Sequence, residues 1–372
     1  MTSDENGFQI PVKTIDFCIN CGLCERVCPI KSEIIKTEQP VKTYMFRVES
    51  QEVLESCSSG GAFYRLAYAV ILEGGIVFGV KFDKDWYATY GYAESLEQMK
   101  MFLGSKYIAP RLNDVYKSVK WFLEHGRMVL FSGIPCHVAG LKTYLSKNYD
   151  NLLLVEIICH AVPSPLVWNR YLREIAPQGA SRVSFRCKDF GWNRYGLEIM
   201  HGDEYCIHEP NDENIYMQAF FHGLSVRNSC GNCAFKCFRT GCDLMIGDFW
   251  ELEKCYPDLF DNKGMSAVFV FTKKGLNAIE KIFNQNIFLQ EIPLSQINLS
   301  GEHSTLVKSI NLHYYRERFF EQLRERNVSV SSLMKKYIDK NRPKSLKEDV
   351  VLIAKAFMGK GYYKFRKLWE RK

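Results

Sequence analysis

Two groups of cysteines carry the chemistry open to this sequence. Phe17–Pro29 reads FCINCGLCERVCP and sets Cys18, Cys21, Cys24 and Cys28 in the spacing C-x2-C-x2-C-x3-C-P. That is the run that wraps an iron–sulfur cube in bacterial-type ferredoxins. Three thiolates two residues apart on a tight loop reach three corners of one cube, and the residues between them leave backbone N–H groups for the cluster sulfides. Pro29 ends the loop and turns the chain away. A zinc knuckle would pair two well-separated C-x2-C couples. Cysteines this closely spaced also make poor disulfides. The run therefore reads as a 4Fe–4S site. In two-cluster ferredoxins the fourth cysteine of each run ligates the other cluster, so a partner ligand is expected from elsewhere in the chain or from an upstream first run.

The second group is SCGNCAFKCFRTGC, with Cys230, Cys233, Cys237 and Cys242 at C-x2-C-x3-C-x4-C. Taken alone it suits half a zinc ribbon and a second cluster equally well. Two further thiols stand apart, Cys136 in Gly133-Ile134-Pro135-Cys136-His137 and Cys159 before His160.

The elements around these residues say more. Met128–Ser132 is a short apolar strand, Val138–Ser146 a helix and Leu152–Ile158 a second apolar strand. Strand–helix–strand of this length is a βαβ unit with parallel strands and a right-handed crossover. Cys136 and Cys159 are then placed just past the carboxyl ends of parallel strands, the edge where open α/β sheets bind ligands. His160 beside Cys159 reads as a histidine supporting a ligand, and no general acid is assigned.

Upstream, Ser58-Ser59-Gly60-Gly61 precedes an apolar helix closed by Gly74–Gly75. A serine N-cap is one reading; a helix start binding phosphate or the polar edge of a flavin is the other. Ile76–Phe82 and Trp86–Tyr92 form a hairpin-like pair, and Gly104-Ser105-Lys106-Tyr107 is a loop with one cation. Ser184–Lys188 and Tyr195–Met200 read as strands flanking Gly191-Trp192. Arg186 and Lys188 at alternate positions would share one face, suited to an anionic ligand or simply exposed. From Lys274 to about Lys336 the chain reads as largely helical, irregular over Asn284–Gln296 around Pro293.

Bulk properties fit a soluble globular protein: 372 residues, 47% hydrophobic and 24% charged. The sequence contains neither a signal-peptide pattern nor an apolar run of the ~18 residues that a membrane span needs, and a cytoplasmic location is expected. Fourteen cysteines in such a chain point to metal or redox use. The net charge of +7 is concentrated at the end, where Lys335–Lys372 holds 13 Lys/Arg against 4 Asp/Glu. A basic tail bearing Phe357, Tyr362, Tyr363, Phe365 and Trp369 suits an anionic membrane surface. The alternative is a solvated helix packed by one face. No nucleic-acid partner is expected.

Read together, CINCGLCERVCP, SSGGAF, GSKY, SGIPCHVAGLK, ICHAVPSPLVW, SFRCKDFGW, SCGNCAF and DLMIGDFW follow in this order. The chain so resembles the beta subunits of the coenzyme F-420 (deazaflavin) hydrogenase/dehydrogenase family, which includes bacterial members tied to polysaccharide gene clusters. The resemblance implies a flavin, FAD or FMN, beside one or two 4Fe–4S clusters, in an oxidoreductase passing electrons between a two-electron donor (deazaflavin F-420 or NAD(P)H) or ferredoxin and an acceptor. The alternative is a non-catalytic electron-transfer subunit of a larger complex. Partners would be ferredoxin or a partner reductase subunit, with a small-molecule substrate besides.

By the same resemblance, Ser58, Ser59, Gly60, Gly61, Gly104, Ser105, Lys106 and Tyr107, with Gly133 and Pro135, would contact the flavin, Lys106 opposite an anionic part of it. Cys136, Cys159, Cys230 and Cys233 would hold one cluster. Cys18, Cys21, Cys24 and Cys28 belong to the other, completed by Cys28, Cys237 or Cys242. Cys187 stands where relatives more often have Asp, while Arg186 and Lys188 remain candidates for an anionic donor or substrate.

The fold class expected is α+β or α/β: a ferredoxin-like insert on a mixed α/β catalytic domain with a helical C-terminal region. The divisions are 1–36 for the iron–sulfur segment, 45–125 for a flavin-binding subdomain, 126–300 for an α/β cluster and flavin subdomain, and 301–372 for a helical basic tail.

Overall fold

A computed structural model describes residues 1–12, 18–31, 39–283, 286–299, 301, 304–325 and 328–339. The basic, aromatic segment expected to meet a membrane lies outside the described residues, and no described helix is long and apolar enough to cross one.

The strands in chain order are β1 (Thr2–Ser3), β2 (Gln9–Ile10), β3 (Lys42–Val48), β4 (Ile76–Phe82), β5 (Ala88–Ala93), β6 (Val129–Gly133), β7 (Leu152–Ile157), β8 (Arg182–Cys187), β9 (Gly196–His201), β10 (Glu204–Pro210), β11 (Leu244–Asp248), β12 (Ser266–Val270) and β13 (Ile287–Glu291). The α-helices are α1 (Leu23–Arg26), α2 (Gln51–Ser56), α3 (Ala62–Leu72), α4 (Leu96–Met99), α5 (Val115–Glu124), α6 (Pro135–Leu145), α7 (Pro165–Ile175), α8 (Ile215–Phe221), α9 (Leu252–Cys255), α10 (Lys273–Ile282), α11 (Arg316–Leu323) and α12 (Val330–Asp339).

The βαβ unit read from the sequence is present as β6, α6 and β7, with β6 and β7 paired in parallel. Every residue of β6 is buried, as expected for a strand covered on both faces. β7 in turn pairs in parallel with β11, and β6 with β4. These four strands form the centre of an eight-stranded sheet of order β13-β3-β12-β11-β7-β6-β4-β5, with antiparallel strands on both flanks. The result is a mixed α/β architecture. Strands from 45–125 and from 126–300 share this one sheet, so the two stretches are interleaved.

The two faces of the sheet are covered by different helices. α3 and α10 supply Leu66, Val70, Ile279 and Ile282 to one core. α5 and α6 supply Val119, Phe122, Val138 and Leu141 to the other. A third core joins a three-stranded antiparallel sheet, β10-β9-β8, to α7, α8, α11 and α12. Ser164 caps α7 and Asn214 caps α8, each accepting two backbone N–H bonds.

Two expectations need correction. Asn284–Gln296 is not wholly irregular: Ile287–Glu291 adds to the sheet edge beside β3, because alternate apolar residues there meet the strand register. For the same reason the stretch after Lys274 is less helical than its composition suggests. β10 escaped the sequence reading, since EYCIHEP is short, mostly polar and only partly buried.

A cavity and four thiols at the carboxyl edge of the sheet

The carboxyl ends of β4, β6, β7 and β11 open onto a cavity of about 630 Å³. Its lining includes Ser58, Ser59 and Gly61, all of Gly104–Tyr107, and Gly133. Three segments distant in sequence thus converge there. Ser58 Oγ and Ser105 Oγ are 2.9 Å apart and join two of them.

The start of α3 is not capped by a serine. Gly61 is the N-cap, at φ +85°, and no side chain caps the helix. Ser59 Oγ instead donates to Met265 O at 2.7 Å, and Gly60 N–H donates to Ser266 Oγ at 3.0 Å. A Cβ on Gly60 would lie 2.1 Å from Phe46 O, so only glycine fits. Gly60 and Pro135 stand outside the lining itself; Pro135 is the first residue of α6.

The cations are held differently from expectation. Lys106 Nζ donates to the carbonyls of Met101 (3.1 Å), Leu103 (2.8 Å) and Gly104 (3.1 Å), so it closes its own loop. Burial lowers it to about 7. Arg186 Nη2 meets Asp248 Oδ1 at 2.7 Å and Ser58 O at 2.7 Å, and its guanidinium lies 3.8 Å from the centre of the Tyr195 ring. Burial is the largest single influence and works against its charge, but Asp248, Tyr107 and Tyr195 together outweigh it and hold the guanidinium above its ordinary value. Lys188 Nζ donates to Leu54 O (2.6 Å) and Lys263 O (2.8 Å), outside the cavity lining. Neither is a free cation for an anionic substrate.

Cys159 and His160 line the same cavity. Among the described residues His160 Nε2 is buried without a hydrogen-bond partner. Burial raises the Cys136 thiol to about 12, and Cys230 and Cys233 add to the rise while Arg227 opposes it. Burial raises Cys159 well above the usual thiol range, with Lys236 opposing and Cys230, Cys136 and Cys233 reinforcing. Four thiols from three segments are therefore close enough to oppose one another's ionisation. Such an array is costly unless a cationic centre lies among them. No three of them are all within 4.8 Å of one another. A tetrahedral zinc with Zn–S of about 2.3 Å would draw the sulfurs to roughly 3.8 Å, whereas an iron–sulfur cube holds them farther apart.

The N-terminal run is different in character. Cys18, Cys21 and Cys24 are exposed and Cys28 is half-buried. Thr143 Oγ1 in α6 donates to Val27 O at 2.8 Å and fixes the run against that helix. Cys242 is buried with Glu156 as a neighbour, and Cys237 Sγ lies 3.4 Å from Val307 O.

Residues 126–294 match the family described as the C terminus of the coenzyme F420 hydrogenase/dehydrogenase beta subunit. The matched stretch contains Cys136, Cys159, Cys230 and Cys233. The match covers a little under half of the chain. No curated protein matches it significantly. A chain of the F420-reducing NiFe hydrogenase complex from Methanosarcina barkeri aligns over 88% of this chain and 95% of its own, at 15% identity and a TM-score of 0.49. A likeness that distant has no bearing on function.

Several cavity residues were not singled out from the sequence. Asp248 and Trp250 lay inside DLMIGDFW, which served only as one motif of the resemblance. Cys57 lines the cavity, and burial raises its thiol to about 11. Lys236, whose Nζ reaches the carbonyls of Cys159 and Thr305, carried no signal in sequence.

Proposed function

We propose that the chain is an iron–sulfur flavoprotein oxidoreductase. A flavin, FAD or FMN, lies in the cavity, and Cys136, Cys159, Cys230 and Cys233 hold a 4Fe–4S cluster. A second cluster belongs to the Cys18–Cys28 run. One observation carries this reading: Cys159 lines the same cavity as Ser58, Ser59, Gly61 and Gly104–Tyr107. The donor set supports it too, since half-buried thiols from independent segments suit a cluster.

A bound flavin supplies two-electron exchange with a hydride donor and one-electron exchange with a cluster. The chain's own residues bind and orient. Gly60 lets the loop before α3 lie against Phe46 O and Ser266 N, as a Cβ would not, and so positions Ser58, Ser59 and Gly61 on the cavity wall. Tyr195 and Trp250 offer aromatic faces, with Trp250 braced by Trp192 at 5.1 Å between near-parallel rings. The Arg186–Asp248 pair adds rigidity with little net charge, and His160 Nε2 is a polar atom left for a ligand. Lys236 and Arg227 are the cations placed to offset thiolate charge. The donor is deazaflavin F-420, NAD(P)H or reduced ferredoxin, and the acceptor a small molecule or a partner subunit.

The test is C159S, purified without oxygen. The expected variant loses about four irons per chain, keeps its flavin and no longer reduces a one-electron acceptor. Unchanged iron would overturn the ligand assignment.

The surface favours a second reading, an electron-transfer subunit. Ile19, Leu23 and Ile30 surround the exposed thiols and are 85%, 54% and 63% exposed. Apolar side chains around an exposed redox site suit a protein partner. A chain that reduces no small molecule alone, yet couples to added ferredoxin, would establish this form.

A further inference from the structure

Away from the cavity, a second set of donors converges on the outer face of the small sheet. Cys187, Asp189 and His208 each place one ligand atom within 4.8 Å of the other two, and they are the only such group among the described residues. His208 Nε2 and Asp189 Oδ2 are 2.9 Å apart.

Two irregularities build this cluster. In β8 the register slips between Ser184 and Cys187, so Cys187, not Arg186, stands opposite Gly196. A regular strand would have put Arg186 on this face and Cys187 on the other. The bulge sends Arg186 to Asp248 and Cys187 to the face that Glu198 and His208 share. In β10 a second slip, between Tyr205 and Ile207, brings Tyr205 onto that face as well. Its ring stacks on His208 at 4.5 Å and 9°. Phe190 approaches His208 at 4.9 Å, and its ring occupies the space a Cβ on Gly196 would need. The imidazole is thus held by its neighbours before any ligand arrives.

We propose that Cys187, Asp189 and His208 bind one zinc-class divalent cation, with water in the fourth position. Thiolate, carboxylate and imidazole together suit a borderline ion such as Zn²⁺ better than a hard one. Donor separations already under 4.8 Å need only small rotations to reach the ~3.3–3.8 Å spacing set by metal–ligand bonds of 2.0–2.3 Å.

The ion acts as a clip. It ties the end of β8 to β10 across β9 and anchors the turn that carries Trp192 and Tyr195. Trp192 Nε1 donates to Asp248 Oδ1 at 2.7 Å, so the clip lies behind one wall of the cavity. The site is separate from the thiols assigned to clusters and does not depend on those assignments.

The full-length protein, with whatever cofactors it carries, is dialysed against low-micromolar ZnSO₄ and analysed for zinc and iron beside C187S and H208Q. The expected result is one more zinc per chain in the wild type than in either variant, with equal iron in all three. With Co²⁺ as probe, the wild type shows a near-ultraviolet thiolate-to-cobalt band that C187S lacks and H208Q weakens. Thermal melting with and without zinc shows a zinc-dependent rise in the wild type alone. Equal zinc in all three proteins, or binding only at millimolar zinc, overturns the proposal and leaves a surface His–Asp pair beside a free thiol. If C187S does not fold, H208Q alone decides, because its side chain is partly exposed.

Discussion

Thr143 Oγ1 donates to the carbonyl of Val27 at 2.8 Å, one residue before Cys28, and it does so from the helix whose first turn carries Cys136. Seven residues of α-helix span about 10 Å. The Thr143 side chain therefore ties the exposed cysteine run to the helix that carries the half-buried Cys136 thiol. In the proposed electron path this bond fixes the distance between two redox centres. Val in place of Thr143 should leave the iron count unchanged and slow electron passage from the cavity to the N-terminal site. It should cost about 1 kcal/mol of stability, a typical hydrogen-bond contribution. Rapid-mixing reduction followed by EPR would separate the two centres. Equal rates in variant and wild type would remove Thr143 from the path.

Arg186 and Asp248 form a buried pair, and the guanidinium is only 3% exposed. Removing one partner strands the other charge. D248N is expected to destabilise the protein by roughly 3–5 kcal/mol, and R186M by a similar amount. The double variant should cost less than the two losses combined. Denaturant melts of all three check this, and simple additivity would mean the charges do not interact.

Gly60→Ala places a methyl group where Phe46 O and Ser266 N already stand. The loop must move, and the Ser58–Ser105 contact with it. We expect flavin to be lost on gel filtration while the buried cluster is retained. A variant that holds flavin as tightly as the wild type would place the cofactor elsewhere.

Lys106 gives a pH signature. Burial holds it at about 7 in the folded chain against an ordinary value of 10.5. Between these values the unfolded chain binds the extra proton, so this group makes stability rise with pH across that window. Below about pH 7 the cost of burying the charge is fully present. K106M should lack this part of the rise, which thermal melts at about pH 7 and about pH 9.5 would show. An anionic ligand in the cavity should raise the lysine again, so binding at about pH 8 should take up a proton, measurable by calorimetry in buffers of different ionisation enthalpy.

Much of this arrangement was legible in the chain. The βαβ unit was plain, because VLFS and LLLVEII are short apolar runs separated by one helix length. It placed Cys136 and Cys159 at the ligand-binding edge before any fold was known. The roles of the charged residues were not legible. Lys106, Arg186 and Lys188 looked like free cations, yet each is spent on carbonyls or on Asp248, partners distant in sequence or hidden in the backbone. The bulge in β8 was also invisible, since a strict two-residue alternation puts Arg186 and Lys188 on one face. The serine cap failed because Gly61 takes the left-handed conformation that a serine there would resist.

The central claim is that a flavin and a cluster share the cavity edge. The direct measurement is iron, sulfide and flavin per chain in protein purified without oxygen, with visible and EPR spectra. The account predicts one flavin and about eight irons with matching sulfide. It predicts that about four of those irons disappear in C159S while the N-terminal signal stays. Zinc in place of iron, with no flavin, would contradict it outright.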